Sequence, residues 1–162
     1  MASTLTAATL TVKITESITL NGSAQGSENT LSIGSIKKIY KRIVTCVDDS
    51  DCTIATFKSA THTSDGALDV ENVKYIRVTN LDDANPINLS LQVDAGEDDS
   101  AADESATILI EAGKSFVMGS PSDGVAVSDA NATIVTTLHN LESLLVDPLS
   151  ENVDVEVFIA ST

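Results

Sequence analysis

Residues 73–93 read VKYIRVTNLDDANPINLSLQV, and this stretch decides the fold class. Ile87, Leu89, Leu91 and Val93 alternate strictly with Asn88, Ser90 and Gln92, the period of two that puts one face of a strand on a core and the other in water. Before them, VKYIRVT is rich in β-branched and aromatic residues, and NLDDANP supplies the Asp, Asn and Pro chemistry of a turn. The unit therefore reads as a strand, a turn containing Pro86 and a returning strand.

The same grammar extends both ways. Downstream, DAGEDDSAADES from Asp94 to Ser105 is acidic and built of small residues, and reads as an exposed loop. It is followed by a strand ATILIE, a turn at Gly113, and SFVMG. The chain closes on VDVEVFIAST, with Val153, Val155, Val157 and Ile159 on one face. Upstream, Leu10, Val12, Ile14, Ile18 and Leu20 mark a half-buried strand that Glu16 interrupts, and NGSAQGSEN from Asn21 to Asn29 reads as a loop. Ile36, Ile39, Tyr40, Ile43, Val44 and Val47 fit a helical stripe, but their β-branched density and the continuation into CTIATF favour a strand. TLHNLESLLVDP has two readings: a short helix near 136–146 with Leu138, Leu141 and Leu145 on one side, or a loop followed by a strand at Leu144 to Val146. Short strands with no room for crossover helices predict an all-β fold, an antiparallel β-sandwich or jelly roll, as a single domain over 1–162.

The totals narrow the function classes. A chain of 162 residues buries roughly 70% of its unfolded surface and needs no staples. Aromatic residues are 3% and Trp is absent, so Val, Ile, Leu and Ala must build the core. A net charge of -15 repels phosphate backbones and anionic lipid, so neither nucleic acid nor membrane is an expected partner. MASTLTAATLTVKITES lacks a basic n-region and a continuous apolar core, which predicts synthesis and folding in the cytoplasm.

Candidate chemistry concentrates at TCVDDSDCT, Thr45 to Thr53. Read as a hairpin, a five-residue loop would make Cys46 and Cys52 cross-strand partners and a four-residue loop would put them on opposite faces; the apolar pattern leans towards the first. In the cytoplasm such a pair packs as small apolar thiols, and it closes to a disulfide only outside the cell. The spacing is not that of a redox motif, and the only histidines, His62 and His139, stand far from the cysteines, which leaves zinc without a ligand set. Asp48, Asp49 and Asp51 are weak cation candidates, but Ile54 occupies the place where a calcium loop needs Gly, and turn chemistry alone accounts for them. AGKS at 112–115 lacks the earlier Gly of a phosphate loop, Ile108 standing there, and no nucleophile elbow occurs. No catalytic residue, cofactor or metal site is predicted. Four of the nine basic residues, Lys37, Lys38, Lys41 and Arg42, cluster in IKKIYKR, opposite in sign to the acidic run of Asp94, Glu97, Asp98 and Asp99; such polarity suits either subunit contact or a solvated strand face.

The strings ESITLNG, VKYIRVTNLDDANPINLSLQV, EAGKSFVMG and VDVEVFIAST resemble small β-sandwich structural proteins of tailed bacteriophages, particularly phages of aquatic bacteria such as cyanobacteria. The resemblance rests on an I-x-V-T-N strand (Ile76 to Asn80), an L-x-L strand (Leu89 to Leu91), a G-x-S-F turn (Gly113 to Phe116) and a final apolar strand, over about half the chain. It implies a non-enzymatic virion component, most simply a decoration or cement protein on the capsid exterior, with the major capsid protein and copies of itself, as a trimer, for partners. Contacts would then fall to the loops at Asn21 to Asn29 and Asp94 to Ser105, the basic strand, and the end segments 1–8 and 158–162. A tail, neck or tail-fibre component, or a small glycan- or ion-binding module, is the alternative.

Overall fold

A computed structural model of the chain describes residues 5–59, 66–95, 104–128 and 134–162. In chain order the strands are β1 (Ala8–Thr15), β2 (Thr19–Leu20), β3 (Ser23–Ala24), β4 (Glu28–Ile36), β5 (Lys38–Cys46), β6 (Cys52–Lys58) and β7 (Leu68–Asp69). A 3-10 turn (Val70–Asn72) precedes β8 (Val73–Asn80), β9 (Ile87–Asp94), β10 (Glu104–Ile110), β11 (Ser115–Met118), β12 (Asn140–Asp147) and β13 (Val153–Ser161). They form a five-stranded sheet, β10-β9-β12-β6-β7, facing a four-stranded sheet, β11-β8-β13-β5. Every pairing is antiparallel except the short β6–β7 contact. The all-β sandwich expected from the alternation is the observed architecture.

The inner faces are aliphatic. Val153, Val155, Val157 and Ile159 of β13 and Ile76 and Val78 of β8 meet Leu89 of β9, Leu141, Leu144 and Val146 of β12 and Phe57 of β6, all at 1% exposure or less. At about 25 cal/mol per Å² of apolar surface, each such side chain contributes roughly 1.5–3 kcal/mol. β13 is central, paired on one side with β5 over its whole length and on the other with β8, so Phe158 to Ser161 lie inside the sheet.

The turns do something periodicity does not reveal. β8 and β9, read as an out-and-back pair, belong to different sheets, and so do β5 and β6, β10 and β11, and β12 and β13. Each connection is an arch across the sandwich. The β8–β9 arch is held by side chains: Asn80, fully buried, donates to the Asn85 carbonyl at 2.8 Å and the Ile110 carbonyl at 3.3 Å. The Asp82 carboxylate accepts from the main-chain N–H of Asn85 (2.6 Å) and Ala84 (2.8 Å), which holds its pKa below the ordinary carboxylate value. At the β10–β11 arch, the Lys114 N–H donates to the Glu111 carbonyl at 3.0 Å across Gly113, whose φ of 69° only Gly adopts cheaply.

Residues 21–29, read as a loop, are instead part of a long hairpin. Asn21 (φ 50°) and Gly22 (φ 79°) both take positive φ, the requirement of a tight turn between twisted strands, and the Asn-Gly pair was the signal for it. β1 pairs with β4 and β2 with β3, and Glu16 N–H to Ser27 carbonyl and Gln25 N–H to Ile18 carbonyl, each 2.9 Å, join the two ladders into one ribbon. Gly26 is obligatory there, since a Cβ would lie 2.1 Å from the Glu16 carbonyl oxygen. Near its base the register slips where Ser35 adopts φ 62°, a bulge that turns β4 into β5.

Of the two readings of TLHNLESLLVDP the structure takes the strand and not the short helix near 136–146: β12 covers Leu144 to Val146 and begins earlier, at Asn140. Leu141 and Leu144 both face the core, the three-residue spacing of a helix, because the register against β9 slips between Leu141 and Ser143 and an extra residue restores the inward direction. Burial on the interior of a sandwich, between β9 and β6, then overrides any helical preference. Leu144→Ala should therefore cost about 3 kcal/mol in denaturant unfolding and Leu145→Ala about 1 or less, whereas the helical stripe would demand the reverse order.

Candidate functional site

Cys46 and Cys52 do come together, but not as hairpin partners. Cys46 ends β5 opposite Val153, Cys52 begins β6 opposite Val146, and both point into the sandwich from opposite sheets. Both hairpin registers considered from the loop length presuppose a pairing that the arch prevents. The two thiols are free, and Cys46 is fully buried. Burial, and then the hydrogen bond with Cys52, push the Cys46 pKa up to about 12. A neutral, buried thiol is a poor nucleophile. At pH 8 iodoacetamide should leave Cys46 unmodified in the native protein and label it after denaturation, read by peptide mass mapping.

The main chain of the segment between them is held by turn hydrogen bonds. The Asp48 N–H donates to the Asn152 side chain at 3.2 Å and the Ser50 N–H to the Val47 carbonyl at 3.4 Å. Asp51 instead borders a polar trough on the outer face of the five-stranded sheet with Asn88, Ser90, Gln92, Thr107 and Asp147. Among the described residues no three His, Cys, Asp or Glu side chains converge as metal ligands. Asp94, counted among the surface contacts, is buried at the end of β9 with 4% exposure, its main chain opposite Asn140. Glu97, Asp98, Asp99 and His62 lie outside the described residues.

The basic segment is the outer strand of the four-stranded sheet. On the sheet's outer face, Lys41, Phe158, Arg77 and Val117 lie abreast, and Ile43, Glu156, Thr79 and Ser115 form the next row. Glu156 thus sits diagonally between two cations: Arg77 hydrogen-bonds it and Lys41 approaches to 3.2 Å. Arg77, and then Lys41, keep the Glu156 carboxyl below its usual pKa. Arg77 also lies 6.0 Å from the Phe158 ring centre, and Tyr75 meets that ring edge-on at 6.1 Å. This cluster went unread because its members stand on different strands. On the inward side of the same edge, the Arg42 guanidinium donates to the Tyr40 hydroxyl, which donates to the Ile54 carbonyl, each at 3.1 Å.

The ribbon packs its base over the same outer face: Ile36 is buried against Tyr75 and Ala160, with Leu10, Val12 and Ile33 half-buried around them. Burial then falls away along it. Ile14 and Leu31 are 50% and 54% exposed, and Ile18 and Leu20 towards the tip 55% and 59%. Val12, Ile14, Leu31, Tyr75 and Met118 border an apolar groove between ribbon and sandwich. The alternation that predicted a half-buried strand is real, but its outer members have nothing to bury them within the described chain.

Compared with family models, curated proteins and solved structures, the chain matches none of them.

The Glu156 cluster has a pH signature. Because its folded pKa is depressed, its stabilisation is present above the unfolded carboxylate value and lost as pH falls through the folded one. Glu156→Gln should cost about 1 kcal/mol at pH 7, and the difference from the parent should shrink towards zero in acid, measured by urea unfolding at both pH values.

Proposed function

We propose that this chain is a non-enzymatic structural protein of a tailed-bacteriophage particle, seated on the outer capsid shell as a decoration or cement protein. The observation that carries this reading is the ribbon. A two-stranded hairpin is marginal in water by itself, yet this one holds four large aliphatic side chains more than half or about half exposed, at Ile14, Ile18, Leu20 and Leu31. Such a row is stabilising when a neighbouring surface covers it, which is how a small protein binds across a seam between shell subunits. The net charge of -15 supports an outer position, away from packaged nucleic acid. The likeness of the I-x-V-T-N strand and the G-x-S-F turn to those of phage structural proteins supports the particle itself.

The test is imaging of the particle that carries the chain. Density for this sandwich in copy numbers in the hundreds on the shell is expected, with the ribbon in contact with capsid protein. A few copies at one vertex would move it to the tail or neck, and absence from particles would end the reading. In reconstitution, Ile18→Ser with Leu20→Ser should lower retention on purified shells about tenfold or more while leaving the unfolding free energy within about 0.5 kcal/mol of the parent's, since both side chains are already exposed.

A further inference from the structure

We propose that the free edge of β5 is a strand-addition site whose occupant is the β10 edge of a second copy, so that the protein associates with itself head to tail. The proposal deepens the assembly reading but stands on the two edges alone.

β5 is nine residues long and among the described residues pairs only with β13, so alternate main-chain groups along its other side have no described strand beside them and can take an added one. Its charge selects the occupant. Lys37, Lys38 and Arg42 have no ion-pair partner among the described residues, and Lys41 shares Glu156 with Arg77. The edge is therefore cationic in a chain of net charge -15. Two β5 edges meeting about a two-fold axis would set cations against cations, which opposes symmetric pairing. An acidic strand is what fits.

At the far edge of the other sheet, β10 meets that requirement. Among the described residues it pairs only with β9; it carries Glu104, is followed at once by Glu111, and contains neither Lys, Arg nor Pro to guard its edge. Its neighbour β11 has four residues and follows Lys114, too short and of the wrong sign. The side-chain rows also match. Ile39 and Ile43 on the outward row of β5 are 52% and 60% exposed, and Leu109 on the outward row of β10 is 53% exposed. An antiparallel register with Leu109 opposite Ile39 puts Ser105 opposite Ile43, Glu111 opposite Lys37, and Glu104 diagonal to Arg42. Outward residues then meet outward residues throughout, as the period of two requires. Because the two edges belong to different sheets and different ends of the strand order, the contact is heterologous and generates a ring or an open chain.

The experiment is sedimentation of the purified full chain with two charge-reversed variants, Lys37→Glu/Arg42→Glu and Glu104→Lys/Glu111→Lys. The parent should associate, with a dissociation constant that rises with salt, and each variant alone should bind itself about 100-fold more weakly. An equimolar mixture of the two variants should regain association, because the reversed β5 of one then meets the reversed β10 of the other; that recovery also shows both are folded. A parent that stays monomeric, or an oligomer indifferent to both reversals, overturns the proposal. So does a monomer that takes up an acidic strand peptide at β5, since the occupant is then another protein. None of these outcomes bears on where the protein sits in a particle, which imaging decides separately.

Discussion

The structure depends on one contact, the interleaving of aliphatic rows between two sheets. Val153, Val155, Val157 and Ile159 press from one side and Leu89, Leu141, Leu144 and Val146 from the other, with a single aromatic, Phe57, among the fully buried side chains of the core. Branched aliphatic side chains fit a pleated surface and lose little rotamer freedom there. Tight arches are what bring the rows face to face: each sends the next strand into the opposite sheet, and the Asn80 and Asp82 hydrogen bonds fix the longest of the short ones. The cysteines belong to this core, since an arch between β5 and β6 is what aims both thiols inward.

Polar work is confined to the outside. Glu156, Arg77, Lys41 and Thr79 tie three strands of one sheet together on a face that is partly covered by the ribbon base. The ribbon is the part least explained by the sandwich. Its base joins a small second cluster around Ile36, Tyr75 and Ala160, and its outer half leaves that support. An apolar row with no cover among the described residues and a cationic edge in an acidic chain are both features that cost something in a solitary molecule and become favourable against a partner. That common logic links the particle reading to self-association.

What the sequence by itself determined is what period two and composition can carry: an all-β chain, the inward rows of β9 and β13, an aliphatic core, and the clustering of bases in β5. The Asn-Gly turn of the ribbon was also legible, through the positive φ both residues must take, although the surrounding Gly and Ser residues read as a loop. Tertiary structure alone decided the rest. Whether a turn makes a hairpin or an arch depends on which sheet the next strand finds, and local residues do not encode that, so β5 and β6 read as partners. A bulge in β12 reproduced helical spacing at Leu141 and Leu144, and only pairing with β9 on one side and β6 on the other distinguishes the two. Burial of Asp94, and the meeting of Glu156 with Arg77 across strands distant in the chain, likewise arise from register, which is a property of pairs of strands and not of any one.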